Sequence, residues 1–269
     1  MPRYLYRNFL AVAAIALPGF AFAADVAPRA YTKAPAYSPS YDWSGFYVGA
    51  SVGGRWSEVT WNTQTFSGIA PLAASNPQQL DSSSVRVGGI VGYNWQVSPA
   101  WVVGLEGDIA WADSKKTISG FPGSINFFVA ANHDTVGVKL GWDASIRARL
   151  GYLVTPATLV YATGGVAFQE ITTTATCDGT ALSFCGAAFP SNLSNTTVKT
   201  GWTVGGGIET VISQNWFARA EYRYSDFGNV THVLPPVPAV GFTANIDVKT
   251  HTALVGLTYK FGGPVVAKY

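Results

Sequence analysis

From Trp43 onward, most of the chain alternates: every second residue is apolar or aromatic, and those between are glycine, small polar or charged. The clearest stretch is FARAEYRYSDFG, Phe217 to Gly228, where Arg219, Glu221 and Arg223 are interleaved with Ala218, Ala220, Tyr222 and Tyr224. Successive side chains of a strand point to opposite faces, so this order describes a two-faced β-strand. Two environments satisfy it. In a soluble sheet the Ala/Tyr face is core and the charges meet water. In a barrel closed within a membrane the Ala/Tyr face meets lipid and the charges are packed inside.

Eight such segments occur, at about 43–57, 84–96, 101–112, 139–153, 159–169, 198–212, 217–228 and 249–261. In the fourth, Leu140, Trp142, Ala144, Ile146, Ala148, Leu150 and Tyr152 share one face, opposite Asp143, Ser145, Arg147, Arg149 and Gly151. Each segment is long enough to cross a bilayer as a tilted strand, which takes about 9–11 residues. The connections alternate. Those at 97–100, 154–157 and 213–215 are short; those at 58–83, 113–138, 170–197 and 227–248 are long. An even strand number with short turns at one end and long loops at the other is the pattern of an outer-membrane barrel. A soluble sandwich or lipocalin-like barrel explains the alternation equally well, but not this rhythm. Nor does it explain the aromatic positions. Trp101, Trp216 and Tyr259 lie near the turns and Trp56, Trp111 and Trp142 near the loops, as two interfacial girdles would. The expected fold is all-β, an eight-stranded antiparallel up-and-down transmembrane β-barrel.

The chain opens MPRYLYRNFLAVAAIALPGFAFAAD, with Arg3 and Arg7 ahead of a short apolar run and Ala21-Phe22-Ala23 after it. This is a secretory signal peptide pattern over 1–23, cleaved after Ala23. Residues 24–42, rich in Pro, Ala and Tyr, read as a periplasmic linker, and 43–269 as the barrel. Removing the leader takes two arginines from a chain with 17 basic and 15 acidic residues, which leaves a formally neutral protein. Neutrality gives no support to a nucleic-acid partner. With only 12% charged residues, 14% aromatics and 29 glycines, the chain is poor material for a soluble helical enzyme and suits many closely approaching strands.

These segments resemble a known family. YDWSGFYVGASVGGRW is similar to its W-[ST]-G-F-Y-[VI]-G opening; GGIVGYNWQ, LVYATGGVAF and AEYRYSDFG are similar to its internal strands, and VGLTYKFGG to its last strand. The family is the alphaproteobacterial outer-membrane β-barrel proteins, also called outer-membrane immunogenic or porin-family proteins. The wider group has the eight-stranded barrel of the OmpA membrane domain. The resemblance spans residues 43 to 269 and implies a Gram-negative outer-membrane location and surface exposure, but no single biochemical activity. It implies contact with outer-membrane lipid and lipopolysaccharide, and with the barrel-assembly machinery. That machinery reads a last-strand pattern, to which Gly256, Tyr259 and Phe261 conform. Leu254 stands where a polar residue is usual, and eight residues follow Phe261 to an aromatic terminus at Tyr269.

In a membrane barrel the charged faces point inward. The lumen then carries Arg55, Arg86, Arg147, Arg149, Lys199, Arg219, Arg223 and Lys260 together with Glu106, Asp108, Asp143, Glu209 and Glu221. Mixed signs suit a packed ionic plug, and an eight-stranded interior is just wide enough for side chains to fill. Cys177 and Cys185, the only cysteines, fall in the third long loop, where an oxidising compartment makes a disulfide the default. Of the histidines, His133 and His232 belong to loops and His251 to the outer interface, none within a catalytic pattern. The apolar VLPPVPAVGF of the fourth loop is either a contact for an extracellular ligand or host surface, or a stiff loop tip. The expected role is structural: membrane integrity and surface display as an antigen. Little pore activity, no enzymatic step, no cofactor and no metal are expected. The alternatives are a narrow small-solute porin and a soluble periplasmic β-barrel binding protein.

Overall fold

The computed structural model describes residues 41–66, 70–128, 133–179, 191–237 and 240–262. The leader with its cleavage site at Ala23, nearly all of the linker, Cys185 and Tyr269 lie outside these residues. The strands are β1 (Gly45–Phe66), β2 (Gln78–Gln79), β3 (Ser82–Gln96), β4 (Trp101–Trp111), β5 (Ser114–Ser119), β6 (Thr135–Thr155), β7 (Thr158–Cys177), β8 (Ser191–Ser213), β9 (Trp216–Val237) and β10 (Val240–Lys260). Eight of them form an antiparallel ring in which each neighbours the next in sequence, and β10 closes back on β1. The closing register runs from Tyr47↔Lys260 to Phe66↔Phe242. The short β2 bridges onto β1, and β5 continues the line of β4 along the outer end of β6.

Tight turns at 97–100, 156–157 and 214–215 gather at one end, tied by bonds such as Leu153 N–H to the Ala100 carbonyl at 2.8 Å and Val211 N–H to the Ala157 carbonyl at 2.9 Å. The chain enters and leaves at the same end, where Phe261 N–H reaches the Phe46 carbonyl at 2.8 Å. Outward on β4 stand Trp101, Val103, Leu105, Gly107, Ile109 and Trp111. The ten steps between its eleven residues, at about 3.3 Å each and tilted by about 40°, rise about 25 Å, the height of an apolar band. Aromatic contacts mark both rims: Trp101–Tyr152 (5.2 Å) and Trp216–Tyr259 (5.1 Å) at the turn end, Trp202–Tyr224 (5.4 Å) at the other.

The strands extend well past the expected bounds. β7 and β8 run on to Cys177 and back from Ser191, and β9 and β10 enclose almost the whole of the fourth expected loop. Beyond the outer aromatic rim the two faces exchange character. Outward positions become Thr, Asn and Ser, as at Thr172, Thr174 and Thr176, while inward positions become apolar, as at Val59, Trp61, Ile171 and Ile246. Apolar alternation therefore stops marking the outward face although the strand continues.

Two bulges shift side chains between faces. At Gly141–Trp142 the β6–β7 register slips between Leu140 and Asp143. Leu140, expected on the lipid face with Trp142, points inward instead and is 1% exposed. The extra residue inverts the parity of everything before it. On β9 the register slips at Phe227–Gly228, and Gly228 takes φ 61°, so Phe227 and Val230 both turn inward. Gly228 has open space where a Cβ would stand, so Gly228→Val tests backbone strain alone. It is expected to lower the unfolding free energy in lipid vesicles by about 1–2 kcal/mol, read from urea titrations of the refolded protein.

Candidate functional site

The interior is filled in three zones. At the turn end an apolar plug forms because residues 41–44 lie across the mouth. Trp43 donates its backbone N–H to Gln96 Oε1 at 3.0 Å and its indole N–H to the Pro156 carbonyl at 3.2 Å. Its ring lies 5.1 Å from that of Phe217, among Val102, Leu159 and Tyr161. Lys260, expected within the carboxylate network, is spent here. Its ammonium donates to the carbonyls of Asp42 and Ser44 and sits 4.5 Å from the centre of the Tyr41 ring. Burial, helped by the Asp42 and Glu209 carboxylates, pushes the Tyr41 hydroxyl up to about 12, so that ring stays neutral beside the cation.

Above the plug lies a continuous network of guanidinium and carboxylate groups. Glu209 accepts from Arg149 and, at 3.0 Å, from the Thr258 hydroxyl; Arg149 stacks 3.8 Å from the centre of the Tyr161 ring. Glu106 accepts from Arg147 at 2.5 Å, Arg219 at 2.7 Å and the Tyr47 hydroxyl at 2.7 Å. Glu221 accepts from Arg147 at 2.6 Å, Arg219 at 3.0 Å and the Tyr161 hydroxyl at 2.9 Å. Asp108 joins Arg86 at 2.5 Å, Arg223 at 3.1 Å and the Ser145 hydroxyl. Asp143 joins Arg86 at 2.5 Å and Arg55 at 3.2 Å. Arg55 also donates to the carbonyls of Ala112 (2.6 Å), Leu140 (2.8 Å) and Gly141 (3.1 Å), which are exposed to it by the β4–β5 break and the β6 bulge.

Some bridges join neighbouring strands, as Glu106 and Arg147 do in direct register. Others cross the lumen: Arg219 on β9 reaches Glu106 on β4, strands that are not neighbours in the ring. Arg147, Arg219, Glu106 and Glu221 are each at most 4% exposed. Buried charge is tolerated only when it is paired and hydrogen-bonded, and breaking one such pair strands its partner. Lys199 departs from expectation. It is half-buried on β8 opposite the uncharged Gln169, and no acid among the described residues lies within ion-pair distance. The sequence reading put Tyr47 and Ser145 on the charged faces but left them, with Tyr161 and Gln169, out of the charge network whose hydrogen bonding they complete. Tyr47 and Tyr161 share the inward parity of Arg55 and Gln169, and that parity was the available signal.

The third zone, in the outer half, is an apolar core of Val59, Trp61, Leu80, Phe121, Ile171 and Ile246 with their neighbours. Cys177, at the end of β7, is disulfide-bonded. Outside the barrel, His251 sits on the aromatic rim, with Nδ1 2.6 Å from the Tyr222 hydroxyl and Nε2 3.4 Å from Glu58. His133 is exposed, 3.4 Å from Asp178; the His232 side chain lies outside the described residues. Of the last-strand residues, Tyr259 faces Trp216 and lies 5.2 Å from Phe261, both at the turn-end rim. Gly256 lies against Arg219, whose Cγ would be 3.0 Å from an added Cβ, and Leu254 is buried inward.

Residues 9–261 match the family model of the outer membrane protein beta-barrel domain. The chain belongs to this family. It is 31% identical over 249 residues to the 31 kDa outer-membrane immunogenic protein of Brucella melitensis biotype 1, covering 90% of this chain and 93% of that protein. It is 29% identical over 259 residues to the 25 kDa outer-membrane immunogenic protein of Brucella abortus biovar 1, covering 95% and 98%. The fold is similar to that of the outer membrane protein OprG from Pseudomonas aeruginosa, with TM-score 0.50 and 10% identity over 83% of this chain and 99% of that one. The protein is thus an outer-membrane β-barrel of the alphaproteobacterial type in the Gram-negative outer membrane, which removes the soluble periplasmic alternative.

Glu106→Leu leaves Arg147 and Arg219 short of a counter-charge. It is expected to lower stability by about 3–5 kcal/mol in urea titrations. Lys199→Gln is expected to change it by less than about 0.5 kcal/mol. Alkylation of the mature protein without reductant should leave its mass unchanged.

Proposed function

We propose that this barrel is a closed structural element of the outer membrane that displays a folded, antigenic extension at the cell surface. In this reading it conducts little and catalyses nothing. The observation that carries the reading is the filled lumen: arginine–carboxylate bridges run between non-neighbouring strands, with an apolar plug on one side and an apolar core on the other. A diffusion path needs a hydrated lumen, and large aqueous pores belong to barrels of about 16–18 strands. The immunogenic names of the Brucella relatives support surface display. The inward guanidinium groups have a structural task, since they hold the carboxylates that hold the strands.

The test is single-channel recording from the refolded mature protein in a planar bilayer, with insertion checked separately by heat-modifiable gel migration. Silence from inserted protein is the expected result. Frequent uniform openings whose ion selectivity changes with Arg147→Glu or Arg219→Glu would instead make it a narrow porin. Antibodies raised against the refolded protein should bind intact cells.

A further inference from the structure

The charges of the lumen do not balance. In the half nearer the turns, Glu106, Glu209 and Glu221 answer Arg147, Arg149 and Arg219 one for one. In the half nearer the outer rim, Asp108 and Asp143 are shared by three arginines. Arg86 bridges both at 2.5 Å, Arg223 holds Asp108 at 3.1 Å and Arg55 holds Asp143 at 3.2 Å. The halves touch through Arg147–Asp108 at 3.4 Å and Arg223–Glu221 at 3.5 Å, which redistributes the charge but leaves one guanidinium without a carboxylate. Asp113, just past the end of β4, is exposed and bonded to Lys139 at 3.3 Å on the outer side of the wall. Lys199, half-buried opposite Gln169, adds a further cation to this half.

The surplus sits beside unpartnered donors. Arg55 turns its terminal nitrogens to the carbonyls of Ala112, Leu140 and Gly141, but its Nε–H is buried with no acceptor among the described residues. The hydroxyls of Ser57 and Ser84 are buried and unpartnered as well. Strand pairing brings the three together: Ser84 stands directly opposite Arg55 across β1 and β3, and Ser57 is the next residue on the same face of β1. On the other side Thr252 and Thr250 stand opposite Arg55 and Ser57. Val59, the next inward residue of β1, belongs to the apolar core and closes the place from the outer end. Nε of Arg147, Arg149 and Arg223 is unpartnered too, but the pairing seats no unpartnered serine beside them.

A buried donor left unpaired is costly, and a buried charge without a counter-charge costs more. A water molecule satisfies the hydrogen bonds and leaves the charge. A small anion satisfies both. We therefore infer that the lumen binds a monovalent inorganic anion of halide size, held by the Arg55 Nε–H and the hydroxyls of Ser57 and Ser84. It is the missing counter-charge of the network, taken up as the barrel closes.

Urea titrations of the refolded mature barrel test this, run in sodium chloride, sodium bromide and sodium gluconate at equal ionic strength, gluconate being too large for the site. With halide at about ten times its dissociation constant, the unfolding equilibrium constant should be about tenfold lower than in gluconate. Ser57→Ala/Ser84→Ala should abolish the difference. Ser84→Asp, which builds the missing carboxylate into the wall, should abolish it too, and should be as stable in gluconate as the unaltered protein is in chloride. Crystals grown in bromide should show anomalous density between Arg55, Ser57 and Ser84. Equal unfolding constants in halide and gluconate would overturn the inference, as would a halide effect that persists in both variants or the absence of bromide density at the site. No current is read, so this result stands apart from that of the bilayer recording.

Discussion

Everything in this molecule follows from the need to pair every backbone N–H and C=O inside hydrocarbon. A sheet meets that need only if its last strand bonds to its first, and here β10 pairs with β1 over nearly the full length of both. Closure then divides each strand into a lipid face and a lumen face. It dictates that the lipid face be apolar and leaves the lumen face free to hold charge. The arginines and carboxylates are a consequence of closure, and they reinforce it because several bridges, such as Arg219–Glu106 and Arg86–Asp143, tie strands that the ladder does not join. The side chain of Glu106 illustrates this: one carboxylate engages β6, β9 and β1 at once, through Arg147, Arg219 and Tyr47.

At the outer aromatic rim the solvent changes, and the barrel inverts with it. Between the turn-end plug and the rim, apolar groups face out and polar groups in. Above it the wall is polar and the inside is a hydrophobic core of the kind found in water-soluble domains, with Trp61, Ile171 and Ile246 fully buried. Burial of apolar side chains away from water stabilises the extension, whereas in the lipid zone the same side chains gain nothing by facing inward. The bulges at Gly141–Trp142 and Phe227–Gly228 lie near this crossover, where they re-aim side chains between faces.

In the role proposed above, the filled interior holds the fold and the functional weight lies on the outer wall and the surface tips. That division accords with relatives known by their antigenicity.

The sequence by itself determined the class of fold, the number of spanning strands and most of their inside and outside faces within the membrane. Each of those depends on local alternation against a fixed outside solvent, and FARAEYRYSDFG carries it in full view. Only the tertiary structure decided where the strands end, because beyond the rim the polar face becomes the outer one and alternation loses its meaning, as at Thr172 and Thr174. Only the structure turned Leu140 inward, since one bulged residue inverts parity without a mark in the composition. It alone decided which charges meet: Glu106 and Arg219, far apart in the chain and on non-neighbouring strands, are joined by the curvature of the barrel. Lys199 has the same inward parity and no acid within ion-pair distance among the described residues, and Lys260 finds backbone carbonyls instead of a carboxylate. Parity along a strand selects a face; the shear and closure of the ring select the neighbour.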